Sequence, residues 1–198
     1  MSTIPRDMSN GYEEVAEDFM AARNVRIGPS TVRGWSRTLP PGSSILDLGC
    51  GHGVPISQVL VEGGFDVYGV DGSAKLIRAF RERFPRAHAE CSAVEDSEFF
   101  GRTFDGVVAI GLMFLLAPAI QAEVVRKVGR ALNLGGKFLF TSPKEPAEWR
   151  DSLTGRESVS LGAERYEEIL REVGLTVVGK EVDEGGNHYY CVAKPCGA

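Results

Sequence analysis

The chain has 198 residues, of which 43% are apolar and 25% are charged, a composition that excludes a disordered or fibrous protein. Its 22 Lys and Arg residues against 27 Asp and Glu residues give a net charge of −5, which argues against a broad nucleic-acid-binding surface. Residues 1–10 are polar, so no secretory signal is predicted, and no apolar stretch is long enough to span a membrane. We therefore expect a cytoplasmic protein with neither a membrane nor a nucleic-acid partner.

Strands and helices alternate along the chain from residue 44 onward. Short apolar runs predict buried strands over residues 44–48, 66–70, 86–90, 104–110 and 137–141. Apolar residues at helical spacing predict helices over residues 55–62, after Ser73, from Pro118 to the glycine pair at 135–136, and over residues 162–174. A turn rich in Asp, Gly and Asn joins two further strands into an antiparallel hairpin, over residues 175–182 and 188–193.

The segments before the first strand and the longest connection between predicted elements are also informative. Two segments ahead of the first strand, residues 11–22 and 30–38, are predicted to be helical. Residues 142–161 are polar, contain Pro and Gly, and have no sustained period, which is typical of a functional or mobile loop. The pattern predicts one α/β domain over residues 1–198, with a helical cover (1–40) on a core (41–195).

The most specific local pattern is a strand that runs into a glycine-rich turn and then into a helix. The apolar run at 45–48 is followed by Gly-Cys-Gly-His-Gly at 49–53. Such a loop lets the backbone approach a ligand, and the helix that follows offers free N–H groups. Asp71 ends the next strand, 20 residues after Gly51, where a carboxylate can accept hydrogen bonds from ribose hydroxyls. Both a dinucleotide and S-adenosylmethionine suit these features.

Asp47 separates these two cofactors by charge. It lies two residues before Gly49, at the end of the strand that faces the ligand. An ionised carboxylate repels a pyrophosphate but attracts the ammonium and sulfonium groups of S-adenosylmethionine. The nicotinamide fingerprint also places its third glycine at the position of Val54. The sequence therefore favours S-adenosylmethionine.

Five linked motifs resemble those of the class I S-adenosylmethionine-dependent methyltransferases, in particular the small bacterial enzymes that act on small molecules. They are ILDLGCGHG (45–53), VYGVDGS (67–73), CSAVEDSEFF (91–100), FDGVVAIGLMFLL (104–116) and ALNLGGKFLFTSP (131–143). The resemblance implies a Rossmann-like, doubly wound sheet of seven strands in the order 3-2-1-4-5-7-6, with strand 7 antiparallel. The hairpin predicted at the C-terminal end agrees with that fold.

The resemblance also implies which residues contact the cofactor. The glycine loop is expected to hold the methionine moiety and Asp71 the ribose. Many family members carry Asp where Ser92 stands, which leaves Glu95 or the backbone as candidates for the contact with the adenine amino group. The implied cofactor-binding residues are Asp47, Gly49, Cys50, Gly51, Asp71, Gly72, Ser73, Ser92, Ala93, Val94 and Ile110.

Candidate catalytic residues come from the C-terminal hairpin and the N-terminal cover. The last strand is expected to start at the edge of the sheet where ligands bind, which brings His188 to that edge. We expect His188, with Tyr12, Tyr189 or Tyr190, to orient the acceptor or remove its proton, because histidine titrates near neutral pH. The alternative is that the His188–Tyr190 cluster only packs the hairpin.

Other residues are expected to enclose this acceptor region. Trp149 and Arg150, in the long connection, are predicted to lie on the same edge of the sheet. Tyr12, Phe19 and Arg23 are predicted to close over it as a lid.

The sequence thus predicts a methyltransferase that transfers the methyl group of S-adenosylmethionine to a small-molecule acceptor, as a monomer or homodimer. No metal is expected, because the three histidines are far apart and no Asp follows the fourth strand. One alternative is a non-catalytic S-adenosylmethionine-binding module, and another is a nicotinamide-dependent oxidoreductase.

Overall fold

The computed structural model describes residues 7–197, so the predictions for residues 1–6 lie outside the described part of the chain. The strands in this part are β1 (Ser44–Leu48), β2 (Asp66–Asp71), β3 (His88–Cys91), β4 (Phe104–Ala109), β5 (Leu132–Thr141), β6 (Ala147–Arg150), β7 (Glu157–Ser160), β8 (Thr176–Val182) and β9 (His188–Ala193). Seven of them form one sheet in the order β3-β2-β1-β4-β5-β9-β8, and β9 is antiparallel to both neighbours. This confirms the predicted α/β Rossmann-like fold, in which β8 and β9 are the expected sixth and seventh strands.

Helices cover both faces of the sheet. They are α1 (Ala16–Ala22), α2 (Pro29–Ser36), α3 (Ile56–Glu62), α4 (Ala74–Arg83), α5 (Pro118–Ala131) and α6 (Ala163–Glu172). On one face, α2, α3 and α4 bury Trp35, Leu60 and Phe80, and on the other α5 and α6 bury Val124 and Ile169. Among residues 7–197, no helix is long and apolar enough to cross a membrane.

The three central parallel strands determine which edge of the sheet binds ligands. All five residues of β1 are buried, and β1 pairs in parallel with both β2 and β4. Parallel strands covered on both faces form continuous apolar runs, which is why sequence predicts them well. The carboxyl ends of β1, β2 and β4 meet at one edge, where open α/β sheets bind ligands.

Two elements begin five residues away from their predicted starts. Strand β5 begins at Leu132 and not at residue 137, because Leu132 adopts extended backbone (φ −78°, ψ 135°) and pairs with Phe104. Leu132 is buried and continues the apolar spacing of the helix, so that spacing does not mark where the helix ends. Helix α1 begins at Ala16 and not at Gly11, because Asn10 and Gly11 have left-handed φ angles of 52° and 90° and residues 12–15 form turns.

The connection over residues 142–161 contains an unpredicted antiparallel hairpin, β6–β7. Buried hydrogen bonds hold it: Ser142 Oγ lies 3.1 Å from Ser160 Oγ and 2.9 Å from Tyr166 Oη. The side-chain amide of Gln121 donates to a carbonyl of β7 at 2.8 Å. Serines stand where apolar residues usually mark a buried strand, so hydropathy alone gives no signal here.

Candidate cofactor and acceptor site

A cavity lies at the carboxyl ends of β1, β2 and β4, beneath the N-terminal segment. Most of the residues expected to contact the cofactor line it. These are Asp47, Gly49, Cys50, Gly51, Asp71, Gly72, Ser92, Val94 and Ile110. Ser73 and Ala93 are buried beside the cavity and do not line it.

The glycine loop presents bare backbone to the cavity. Gly49 and Gly51 have φ angles of 68° and 54°, in the left-handed region that favours glycine. The N–H groups of Gly49 and Cys50 donate to the Val70 carbonyl at 2.8 and 3.1 Å, which fastens the loop to β2. A Cβ atom on Gly51 would stand 3.2 Å from the Phe19 ring. The loop therefore leaves little room for side chains between its backbone and a ligand.

Asp71 joins the glycine loop to the start of α4. Its Oδ2 accepts the N–H of Gly51 at 2.8 Å, and its Oδ1 accepts the N–H of Ser73 at 2.8 Å. Burial raises the pKa of Asp71, while these two hydrogen bonds favour the ionised form. Each carboxylate oxygen has a second lone pair, so the group can also accept hydrogen bonds from a vicinal diol in the cavity.

Asp47 is buried at the end of β1 and accepts a 2.5 Å hydrogen bond from the Ser57 hydroxyl. Its pKa is raised to about 7: burial is the largest cause and the charge of Asp71 adds to it, while Ser57 and Arg23 oppose the shift. The sequence predicts an ionised carboxylate at this position. In the free protein Asp47 is instead only partly ionised at neutral pH, and a bound cation would favour its charged form.

The segment after β3 forms another wall of the cavity. Ser92, Val94 and Glu95 line it, while Ala93 is only 3% exposed. The Ser92 hydroxyl donates to the Ala93 carbonyl at 3.2 Å. From α5, the Lys127 ammonium donates to the carbonyls of Val94 and Glu95 at 3.2 and 2.7 Å. Lys127, which the sequence analysis did not single out, thus fixes the backbone of this wall.

The N-terminal segment crosses the cavity and is fastened to α4. The Met8 carbonyl is so close to Gly72 that a Cβ on this glycine would stand 1.9 Å from its oxygen. Glu13 accepts hydrogen bonds from the Ser73 hydroxyl at 2.5 Å and from the Lys75 N–H at 3.0 Å. Ser73 also caps α4 by accepting from its third residue. The structure thus gives Ser73 a role in holding the cover.

Aromatic and charged side chains of this segment line the cavity from above. The rings of Tyr12 and Phe19 meet edge to face, with centroids 5.3 Å apart. The Arg23 guanidinium lies 5.7 Å from the centroid of Phe19. The Tyr12 hydroxyl donates to Asp151 Oδ2 at 3.1 Å, which links the cover to the β6–β7 turn. Tyr12, Phe19 and Arg23 therefore occupy the position expected of a lid.

Gly72→Ala tests the crossing of the N-terminal segment. The added methyl group collides with Met8, so we expect faster protease cleavage before α1 and about tenfold weaker binding of S-adenosylhomocysteine. Limited proteolysis and calorimetric titration measure the two effects. Gly34→Ala in α2 is the control, because nothing lies within 4 Å of that added methyl group. Equal behaviour of the two variants would contradict the close crossing.

The structure separates the predicted catalytic residues. Tyr12 lines the cavity, whereas His188 and Tyr190 do not. Tyr190 is buried, stacks on Phe140 with ring centroids 4.6 Å apart, and donates to the Pro143 carbonyl at 3.4 Å. The neighbouring Tyr189 is also buried and donates to Asp183 at 2.9 Å.

The order of the strands explains this separation. Strand β9 lies two strands away from β4, and neighbouring strands are about 4.8 Å apart, so His188 starts about 10 Å to the side of β4. The contacts of Tyr189 and Tyr190 agree with the alternative in which this cluster packs the hairpin.

Asp151 is a cavity residue that the sequence analysis missed. It begins the turn DSLTG, and its Oδ1 accepts the N–H groups of Leu153 and Thr154 at 3.1 and 2.8 Å. This turn chemistry is visible in sequence, but only the fold brings the turn to Tyr12. Within residues 7–197, no three His, Cys, Asp or Glu side chains are grouped so as to hold a metal ion.

The sheet order, the glycine loop and the placement of Asp71 define a class I methyltransferase fold. Residues 45–136 match the family model described as a methyltransferase domain. The chain is 27% identical, over 163 residues, to an uncharacterized methyltransferase of Synechocystis sp. strain PCC 6803, an alignment that covers 75% of this chain and 74% of that protein.

Two solved structures are similar along almost their whole length. One is magnesium protoporphyrin IX methyltransferase from Synechocystis PCC 6803 with bound S-adenosylmethionine (TM-score 0.74, 12% identity, 98% of this chain and 100% of that chain). The other is the [4+2]-cyclase SpnF (TM-score 0.75, 16% identity, 98% of each chain). The chain thus has the fold of the class I S-adenosylmethionine-dependent methyltransferases, and the methyltransferase-domain match covers the part of it that forms the glycine loop and the strands beside it.

Proposed function

We propose that this protein transfers the methyl group of S-adenosylmethionine to a small-molecule acceptor bound under the N-terminal segment. One observation supports the proposal: a single cavity is lined both by Asp71, the carboxylate expected to bind the ribose, and by Tyr12 and Phe114. A covered space of this kind suits a small acceptor, because the reacting groups are held together and water is kept out.

The charged groups of the cavity fit the amino acid end of the cofactor. Arg23 provides a cation for its carboxylate, and the Arg23 Nε has no hydrogen-bond partner among the described residues although it is buried. Asp47 provides an anion for its ammonium group. Asp71 accepts hydrogen bonds from the ribose hydroxyls, while Ile110 and Leu112, beyond the end of β4, lie on the apolar wall suited to the sulfonium.

The bound cofactor supplies an electrophilic methyl group, whose bond to sulfur breaks with both electrons remaining on sulfur. The protein has to orient the acceptor lone pair towards that carbon and to exclude water. Burial raises the pKa of Tyr12, and the charge of Asp151 raises it further. Tyr12 therefore stays protonated at neutral pH and acts as a hydrogen-bond donor that positions groups, not as a base.

The charge of the cavity also weighs against the nicotinamide alternative. Asp47 disfavours the pyrophosphate of a nicotinamide cofactor, whereas Asp71 suits the ribose of either cofactor. A non-catalytic cofactor-binding module, or chemistry other than methyl transfer as the name of SpnF indicates for the same fold, remains a second candidate that a turnover measurement distinguishes.

Thermal unfolding with S-adenosylhomocysteine and with NADH tests the proposed cofactor. A ligand at a hundred times its Kd stabilises a protein by about 2.7 kcal/mol, or roughly 5–10 °C in Tm for a chain of this size. We expect this shift with S-adenosylhomocysteine and none with NADH. A shift with NADH alone would contradict the proposal.

Release of S-adenosylhomocysteine in the presence of a metabolite panel then separates an enzyme from a binding module. We expect release that depends on the acceptor. Tight binding with no release for any fraction of a cell extract would favour the module.

A further inference from the structure

Tyr12, Phe114 and Asp151 bring a hydroxyl, an aromatic ring and a carboxylate to the same cavity from three separate parts of the chain. Phe114 lies in the turn after β4, and its ring centroid is 5.3 Å from that of Trp149 in β6. The β6–β7 hairpin is itself anchored through Gln121, which donates to carbonyls of Leu116 and of β7 at 2.8 Å each. This wall is therefore built and held by the fold.

The Asp151 carboxylate retains capacity for a ligand. Its Oδ1 is occupied by the turn, whereas its Oδ2 accepts, from the described residues, only the Tyr12 hydroxyl, at 3.1 Å. Nearby arginines have other partners: Arg156 pairs with Asp7 at 2.6 Å, and Arg150 donates to the Gly155 carbonyl at 3.0 Å. Within residues 7–197, no ion pair neutralises Asp151.

The cavity as a whole is acidic. Among its described lining residues, four carry carboxylates and one, Arg23, carries a cation. The carboxylates are those of Asp47, Asp71, Glu95 and Asp151. Asp47 and Arg23 face the amino acid end of the cofactor, Asp71 its ribose, and Glu95 lies on the wall expected to contact its adenine, so Asp151 is the carboxylate left for the acceptor.

We propose that the acceptor is an amine, bound as an ammonium ion by the Asp151 carboxylate beside the aromatic wall of Phe114. This inference rests on the proposed methyl transfer and names its substrate class. A carboxylate attracts an ammonium ion and disfavours phenolate or carboxylate acceptors, which are negatively charged when they react. Charge-assisted hydrogen bonds to Asp151, with a ring face nearby, are typical of sites for organic cations.

The reaction balances with these groups. The ammonium ion passes one proton to Asp151, which releases it to solvent, and the nitrogen gains a free lone pair. This lone pair forms the N–C bond as the C–S bond breaks and sulfur keeps its electrons. The methylated ammonium then carries the positive charge that the sulfonium has lost, and it faces the same carboxylate.

Matched amine and alcohol probes test the inference in the protein saturated with S-adenosylhomocysteine. The panel contains small aromatic and aliphatic amines, each paired with the alcohol in which OH replaces NH₂, such as 2-phenylethylamine and 2-phenylethanol. We expect the best amine to bind about tenfold more tightly than its alcohol, as measured by titration calorimetry, because its hydrogen bond is charge-assisted. Methyl transfer to the same amine is measured with labelled cofactor.

Asp151→Asn removes the charge but keeps an amide oxygen for the turn, and we expect it to abolish the amine preference. Tyr12→Phe leaves the carboxylate in place, so the preference should persist. Asp18→Asn is the matched control, because Asp18 is an exposed carboxylate on α1 that does not line the cavity. Unchanged affinity for S-adenosylhomocysteine and an unchanged Tm show that each variant is folded.

Three outcomes overturn the inference while leaving the proposed function intact: no amine binds more tightly than its alcohol, an alcohol is preferred, or Asp151→Asn keeps the preference. If no compound of the panel binds, no amine is preferred over its alcohol, and the inference is overturned in the same way. Failure of the wild-type protein to bind S-adenosylhomocysteine would instead contradict the proposed function, so the two failures are distinguishable.

Discussion

Asp71→Ala is expected to weaken the binding of S-adenosylhomocysteine by about a hundredfold or more. The substitution removes the carboxylate that would accept the ribose hydroxyls, and each hydrogen bond to a charged group contributes about 1.5–3 kcal/mol. It also leaves the N–H groups of Gly51 and Ser73 without their 2.8 Å partners, so the glycine loop loses its link to α4. Titration calorimetry on the purified variant measures the effect.

Asp66→Ala is the control for this experiment. Asp66 begins the same strand at its opposite end and is exposed there, far from the cavity lining. We expect its affinity for S-adenosylhomocysteine to stay within about twofold of the wild type. If Asp71→Ala binds as tightly as Asp66→Ala while remaining folded, Asp71 serves only the turn, and the proposed ribose contact is wrong.

The core of the sheet was predictable because each of its strands carries its own local signal. Strands β1 and β4 are short, mostly apolar segments with a glycine soon after each, and Asp71 ends β2 20 residues after Gly51 in the glycine loop. The residues that form the ligand-binding edge therefore lie within these strands or directly after them in the sequence. The residues predicted around the cofactor therefore lie mostly around one cavity, although Ser73 and Ala93 do not line it.

The acceptor side was not predictable in this way. Asp151 lies in the turn of a hairpin that hydropathy does not predict, because serines occupy its buried positions. Its contact with Tyr12 joins residues that are 139 positions apart in the sequence. His188 does not line the cavity, for a related reason. The rule that ligands bind at the carboxyl ends of the strands names the edge of the sheet but not the position along it. That position depends on how many strands separate β9 from β4.

Asp47 shows that the identity of a residue does not fix its charge. The sequence places an acid at the end of β1, and the fold then buries it so completely that its pKa rises to about 7. An unfolded Asp has a pKa near 3.9, so between about pH 4 and 7 the folded protein retains a proton that the unfolded chain has lost. The free energy of unfolding therefore falls as the pH rises through this window.

Asp47→Asn is accordingly expected to have opposite effects on stability and on binding. The amide needs no proton to stay neutral and can keep a hydrogen bond with Ser57, so the free variant should exceed the wild type in stability at pH 8 by on the order of 2 kcal/mol. The excess should shrink towards pH 5. Denaturant unfolding of both proteins at the two pH values measures it.

Binding should change in the other direction. The ligand ammonium favours the ionised carboxylate, so wild-type affinity for S-adenosylhomocysteine should rise as the pH increases from 6 to 8, while the affinity of Asp47→Asn stays nearly flat and about tenfold weaker at pH 8. Equal pH profiles for the two proteins would show that Asp47 does not meet the ammonium group. A variant less stable than the wild type at pH 8 would show that the carboxylate is stabilised in the fold by more than Ser57 and Arg23. Higher stability together with weaker binding in Asp47→Asn would show that burial of the Asp47 carboxylate lowers the stability of the free protein while its charge stabilises the bound ligand.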